Sequence, residues 1–141
     1  MEKDRSETVA ELEQVRRQLY EELAKVGDFR RGSLAASYRK CGKKNCACAK
    51  SSHSGHLRYM WSTTTKGNRS VAKTIRLGEE LEKASQEQRN YHEFQRLMRE
   101  LVEVNERICQ LRPASPVSDE NELELMKKKQ RRRFAVKLRR K

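Results

Sequence analysis

Three of the four cysteines of this chain, Cys41, Cys46 and Cys48, lie within one stretch of eight residues. The surrounding segment, residues 29–56, is rich in Gly, Ser and Lys and has neither a helical nor a strand periodicity. Only 35% of the 141 residues are hydrophobic and 38% are charged, so a large apolar core cannot hold this segment in place. We therefore expect the segment to fold around a metal ion and to be disordered without one.

Zinc is the metal that this composition favours, because thiolates and imidazoles are its usual protein ligands. The charged N-terminus has no apolar signal core, so disulfides are not expected. We favour His56 as the fourth ligand, since Gly55 precedes it and a predicted strand follows, whereas His53 lies among serines and is the alternative. Three reduced thiols in a flexible loop, or a redox pair, are the competing interpretations. The predicted Zn²⁺ ligands are Cys41, Cys46, Cys48 and His56.

Positive charge is confined to two segments of the chain. Net charge is +13, and residues 30–76 hold 12 Lys/Arg without any Asp or Glu, while residues 119–141 hold 10 Lys/Arg and 4 Asp/Glu. Such segments suggest a polyanionic partner, DNA or RNA. Tyr38, Tyr59 and Trp61 are interleaved and could stack on bases, although we expect Trp61 to be a core residue. The predicted nucleic-acid-binding residues are Arg30, Arg31, Arg39, Lys40, Lys43, Lys44, Lys50, Arg58, Lys66, Arg69, Lys73, Arg76, Lys127, Lys128, Lys129, Arg131, Arg132 and Arg133.

Hydrophobic periodicity predicts two helices and a β-hairpin. Apolar residues at three- and four-residue steps indicate a helix over residues 5–27. Alternating side chains around Lys66-Gly67-Asn68 indicate a hairpin over residues 57–77. Residues 79–111 predict a long helix with a heptad seam, whose partner is the first helix or a second copy of the chain. The seam residues are Phe94, Leu97, Leu101, Val104, Ile108 and Leu111.

The expected fold is α+β, with an antiparallel, coiled-coil-like helical hairpin that carries a small zinc-binding β-hairpin module. The divisions are an N-terminal helix in residues 1–29, the basic module in residues 30–78 and the long helix in residues 79–112. Pro113 and Pro116 begin a linker and a basic tail, residues 113–141. We expect the tail, residues 119–141, to be disordered alone, with helix formation on contact with a partner as the alternative.

Three blocks of sequence resemble a small bacterial family of unknown function that is often encoded beside transposase genes. The blocks are residues 31–49, with Tyr-Arg-Lys-Cys-Gly-Lys-Lys-Asn-Cys-Ala-Cys-Ala at their end, then Gly55-His56, and then residues 94–113. The resemblance covers roughly residues 7–113. It implies the same three cysteines and His56 as the matching positions, and it implies no established activity.

We expect a zinc-dependent nucleic-acid-binding accessory protein of a mobile-element or nucleoprotein system, which binds largely through phosphates. The alternative is a protein–protein interaction module that uses the helical hairpin, with its basic segments on an acidic partner. A transposase-like protein and a second copy of the chain are further candidate partners. We expect no enzyme, because nucleophile motifs and phosphate loops are absent and residues 30–76 lack a carboxylate. Without a stretch of about 20 apolar residues, we expect a cytoplasmic protein with no membrane partner.

Overall fold

Residues 6–139 are described by a computed structural model, with side chains described through residue 135. This part of the chain is α+β, as predicted, with three helices and one antiparallel sheet in the order β1-β2-β3. None of its helices is long and apolar enough to cross a membrane. The chain forms two compact units, Met1–Ile108 and Cys109–Lys141. The elements are α1 (Val9–Lys25), β1 (Ser33–Arg39), β2 (His56–Thr64), β3 (Ser70–Ile75), α2 (Glu79–Leu111) and α3 (Glu120–Arg139).

The first helix, α1, is shorter than the predicted 5–27. Its start is fixed by a reciprocal cap, in which Thr8 Oγ1 accepts the Glu11 N–H at 3.3 Å and the Glu11 carboxylate accepts the Thr8 N–H at 3.0 Å. At the other end Val26 is already extended, so the helix stops before the glycine expected to end it. Residue 5 of the predicted helix lies outside the described residues.

The predicted hairpin is present as β2 and β3, but the sheet has a third strand that the sequence analysis missed. Gly67 and Asn68 form the β2–β3 turn with φ of 87° and 60°, as the turn prediction requires. The expectation that residues 29–56 contain no strand is wrong for β1, which pairs with β2 along its whole length. β1 is mostly Ser and Ala, which have little intrinsic preference for strands, so its pairing with β2 determines its conformation.

The second helix, α2, has the predicted bounds, and its first turns support the sheet. Trp61 and Ile75 form a buried cluster with Ala84, which is fully buried. A small residue at this position lets the α2 backbone approach the sheet closely. Trp61 is a core residue, as expected, and its Nε1–H donates to the Arg31 carbonyl at 3.1 Å.

Part of the predicted heptad seam of α2 packs against α1, whereas Leu111 at the end of the seam is 40% exposed. Leu97, Leu101 and Leu19 form a second buried cluster, and Ile108 is also buried. These four side chains account for a large share of the apolar surface that a small domain of this composition can bury.

Side-chain contacts between α1 and α2 run in antiparallel order. Arg16 Nη1 donates to Asn105 Oδ1 at 3.1 Å, whereas Asn90 Nδ2 donates to the Asp28 carbonyl, just beyond α1, at 2.8 Å. The residue number of the partner on α2 therefore falls as the residue number rises from α1 into the segment that follows it. The sheet forms the connection between the two helices.

Residues Glu120–Arg139 of the basic tail form helix α3, which corrects the expectation that this segment is disordered on its own. Asp119 Oδ1 accepts the backbone N–H groups of Asn121 at 2.7 Å and Glu122 at 3.3 Å, and so caps the helix. Lys127 pairs with Glu124 one turn earlier at 3.0 Å. Long unbranched side chains, which lose little rotamer freedom in a helix, make up most of α3.

The seam gives the first prediction. Leu101→Ala should lower the free energy of unfolding by about 2–5 kcal/mol, because it empties a packed position 7% exposed to solvent. The neighbouring Val102 is 49% exposed and is the matched control, so Val102→Ala should cost within about 0.5 kcal/mol. Chemical denaturation followed by circular dichroism measures both. Equal losses in the two variants would mean that the seam is not a core.

Candidate metal centre

The sheet register brings the ends of the Cys/His segment together. Arg39, the last residue of β1, pairs with His56, the first residue of β2, so Cys41 comes out of the sheet beside His56. Cys46 directly precedes the short 3-10 turn Ala47–Ala49, and the buried Cys48 lies inside this turn. The three Sγ atoms and one imidazole nitrogen all lie within 4.8 Å of one another.

The distances within this cluster suit one tetrahedral ion. Cys41 Sγ lies 3.4 Å from Cys48 Sγ, and Cys46 Sγ lies 3.2 Å from His56 Nε2. With metal–sulfur bonds of about 2.3 Å, the sulfurs of a tetrahedral zinc site are about 3.8 Å apart. This separation lies between the 3.4 Å of the Cys41–Cys48 pair and the 4.8 Å within which all four ligand atoms lie. The sulfur pair is also well beyond the about 2.05 Å of a disulfide. The four residues therefore form a possible metal site, as predicted.

Two glycines let the segment close on the sheet. Gly55 has φ +105°, and a Cβ there would lie 2.5 Å from the carbonyl carbon of Arg39 and 2.8 Å from the backbone nitrogen of Lys40. No other residue could approach β1 so closely without displacing its backbone. Gly42, directly after the first cysteine, has φ +82°. Lys40 Nζ also donates to the Lys50 carbonyl at 3.1 Å, which ties the start of the segment to its middle.

His53, the alternative fourth ligand, is placed outside the cluster. Its Nδ1 accepts the Gly55 N–H at 2.9 Å, and its backbone N–H donates to the Lys50 carbonyl at 3.0 Å. His53 therefore shapes the approach to β2, while His56 contributes the ring nitrogen that faces the sulfurs.

The surroundings favour the thiolate form at two of the three cysteines, Cys41 and Cys46. The Lys43 backbone N–H, and then the Cys48 and His56 side chains, lower the pKa of Cys41 to about 6. The Cys48 backbone N–H is the main cause of the lowered pKa of Cys46. The Cys41 backbone N–H lowers the pKa of Cys48, but burial and the neighbouring thiols outweigh it, so that pKa is raised. Hydrogen bonds to Cys41 and Cys46 raise the pKa of His56. Deprotonated sulfur is the form that binds a metal.

Most of the predicted nucleic-acid-binding residues are exposed, but Arg30 is half-buried and contacts other side chains of the protein. Its guanidinium lies 4.4 Å above the Trp61 ring and pairs with Glu87 at 3.8 Å. Arg58 is half-buried on the sheet. The exposed ones are Lys40, Lys43, Lys44 and Lys50 around the cysteines, Lys66 and Arg69 in the β2–β3 turn, Arg31, Arg39, Lys73 and Arg76 in or beside the strands, and Lys127, Lys128, Lys129, Arg131, Arg132 and Arg133 in α3.

Comparison with known proteins identifies a family but no activity. No curated protein and no solved structure matches the chain. The sequence profile of a domain of unknown function, DUF6788, matches residues 9–87. This range contains α1, the sheet, all four residues of the possible metal site and the start of α2. Because the match covers more than half of the 141 residues, the chain belongs to the DUF6788 family.

Proposed function

We propose that this protein is a zinc-dependent nucleic-acid-binding accessory protein that binds largely through phosphates. The observation that carries the proposal is the charge of residues 30–76, which hold 12 Lys/Arg and no Asp or Glu. Like charges repel, so a segment of this composition is costly to fold unless a ligand neutralises it. A sheet and a metal cross-link would fix these cations on one small rigid body, and a polyanion is the simplest ligand for it.

Zinc is the ion that we assign to the Cys/His cluster. Three thiolates and one imidazole are a preferred zinc set, and a full set of four protein ligands is typical of structural sites. Three thiolates with Zn²⁺ sum to a charge of −1, so the site offsets little of the surrounding charge. Because residues 30–76 contain no carboxylate to act as a base, we assign the cluster a structural role and propose no enzymatic activity.

We also propose a setting for this activity in a mobile-element or larger nucleoprotein system. Its support is the resemblance of the cysteine blocks to a bacterial family often encoded beside transposase genes. In that setting α1 and α2 would act as a helical hairpin that carries the basic module and docks on a transposase-like partner.

A protein–protein interaction module is the second candidate function. It is favoured by the apolar side chains that the helices leave exposed, Val15 at 42%, Tyr20 at 54% and Val102 at 49%. Because Leu97 and Leu101 of the seam already pack against Leu19 of α1, a partner helix would use this outer surface instead. The basic segments would then contact an acidic protein.

The metal gives the second prediction. Purified protein should contain about one zinc per chain, and Cys46→Ser should lose it because one of four ligands is removed. Cys109→Ser is the control, since Cys109 is an exposed thiol that is not among the clustered ligands, and its zinc content should be unchanged. Elemental analysis of protein from zinc-replete medium measures both. Wild-type protein that is folded yet free of metal would refute the assignment.

Nucleic-acid binding gives the third prediction. Affinity for duplex DNA should fall steeply with salt, with a log–log slope of roughly −0.9 per neutralised phosphate. Reversing both Lys43 and Lys44 to Glu should weaken binding and flatten that slope, and deleting residues 127–141 should do the same without unfolding the module. Chelating zinc should abolish the contribution of the basic module to the affinity for DNA.

The control for charge alone is the double variant Arg99→Glu with Arg107→Glu, two exposed positions on α2 outside residues 30–76. This variant changes net charge by as much as the lysine pair and should bind nearly as wild type. Gel shifts from low to near-physiological salt measure every variant. If wild-type protein binds neither DNA nor RNA at low salt, the interaction module becomes the better account.

A further inference from the structure

The two faces of the sheet have different surroundings. Side chains alternate between faces along a strand, and residues paired across strands share a face. Trp61 pairs with Leu34 and with Lys73, so these three lie on one face. Because Leu81 and Ala84 of α2 pack on the Trp61 cluster, we call this the helix-side face. The opposite one, the open face, carries Ser33, Ala35, Ser37, Arg39, His56, Arg58, Met60, Ser62, Thr64, Ser70, Ala72 and Thr74.

Acidic groups lie on one side of the module. Helix α2 brings three of them in its first turn, and Glu80 accepts the backbone N–H of Arg76 at 3.3 Å. Glu87, two turns later, pairs with Arg30 at 3.8 Å. A polyanion that approaches the helix-side face therefore meets carboxylates.

The open face presents cations without an acid. None of the residues of β1, β2 and β3 is Asp or Glu. Arg39 and Arg58 both lie on this face, and Arg58 Nε donates to Ser37 Oγ at 3.1 Å, which holds that side chain along the sheet. We call residues 40–55, which connect β1 to β2 and carry the three cysteines, the cysteine segment. Its exposed lysines continue the positive surface of the sheet beyond the end at which His56 lies. The charge of the module is thus complementary to a polyanion on this side.

The aromatic side chains of the module all lie on the helix-side face, so they cannot stack against a ligand on the open face. Tyr38 pairs with Leu57, and by alternation it shares the helix-side face with Tyr59 and Trp61. The open face carries none. Proteins that bind single strands combine a basic groove with aromatic platforms on which bases stack. Without a platform, contact is limited to the sugar–phosphate backbone, which a double helix presents with its bases already stacked.

We propose that the open face, together with the adjoining cysteine segment, docks on the phosphates of a nucleic-acid double helix. This inference rests on the proposed nucleic-acid binding and specifies its surface and the form of its ligand. From the Ser33–Ser62 pair to the Arg39–His56 pair is about 20 Å, at about 3.3 Å per residue. One strand of a duplex presents about six phosphates over that length.

Two adjacent residues of the edge strand β3 provide a matched test. Val71 and Ala72 are both exposed but lie on opposite faces, the helix-side and the open face respectively. Ala72→Glu places a carboxylate against the docked duplex and should weaken binding about eight-fold or more at 0.1 M salt, the effect of losing one phosphate contact. Val71→Glu makes the same change of charge on the other face and should leave affinity near that of wild type.

A second pair removes cations. Arg58→Gln should weaken duplex binding about eight-fold at 0.1 M salt and reduce the log–log salt slope by about 0.9. Its control is Arg99→Gln, at an exposed position on α2 outside residues 30–76, which should change neither. Fluorescence anisotropy with labelled DNA and RNA duplexes, and with the single strand of the same sequence, measures all four variants. Zinc content and thermal midpoint show that each variant is folded.

The outcomes separate this inference from the function on which it rests. Equal losses in the members of each pair, with duplex binding by wild type intact, would overturn the docking face and leave nucleic-acid binding standing. Tighter binding of the single strand than of either duplex would overturn the proposed ligand. Failure of wild-type protein to bind any of the three would instead defeat nucleic-acid binding itself.

Discussion

Convergence of Cys41, Cys46 and Cys48 on His56 is the constraint on which the basic module depends. The connection that carries them, residues 40–55, buries only Cys48 and Gly55, so apolar burial cannot offset the chain entropy lost when it is ordered. A metal ion bound by these four residues would join the end of β1 to the start of β2. It would thereby support the register of the two strands and the position of the cations beside them.

The second constraint is α2, which packs against different elements of the chain along its length. Near its start Ala84 meets the sheet, and further along Leu97 and Leu101 meet α1. Because its first turn is acidic, as a helix N-terminus favours, packing it on the sheet also places negative charge on one side of the module. One packing arrangement therefore produces both the small core and the difference in charge between the faces.

Local signals in the sequence were sufficient for α2, the β2–β3 hairpin and the four clustered residues. Periodicity specifies a long helix, Gly67-Asn68 specifies a tight turn, and the preference for His56 over His53 followed from Gly55. Strand β1 could not be predicted, because its Ser and Ala residues form a strand only through pairing with β2. The helical start of α3 was overlooked although Asp119 is a recognisable cap. Tyr38 could not be assigned to a face without β1, because its face follows from its pairing with Leu57 of β2.

Cations placed on a sheet have a specific consequence for recognition. Ordering flexible lysine and arginine segments on a ligand costs conformational entropy, and a module held by strands, and by a metal where one is bound, would have less to lose on binding. Phosphates, however, carry little sequence information, and neither the open face nor the cysteine segment presents a helix or ribbon tip shaped for base edges. Such a surface contributes affinity and orientation. Selection of a site would then come from another component of the assembly, which is why an accessory role suits this chain better than that of a self-sufficient sequence-specific binder.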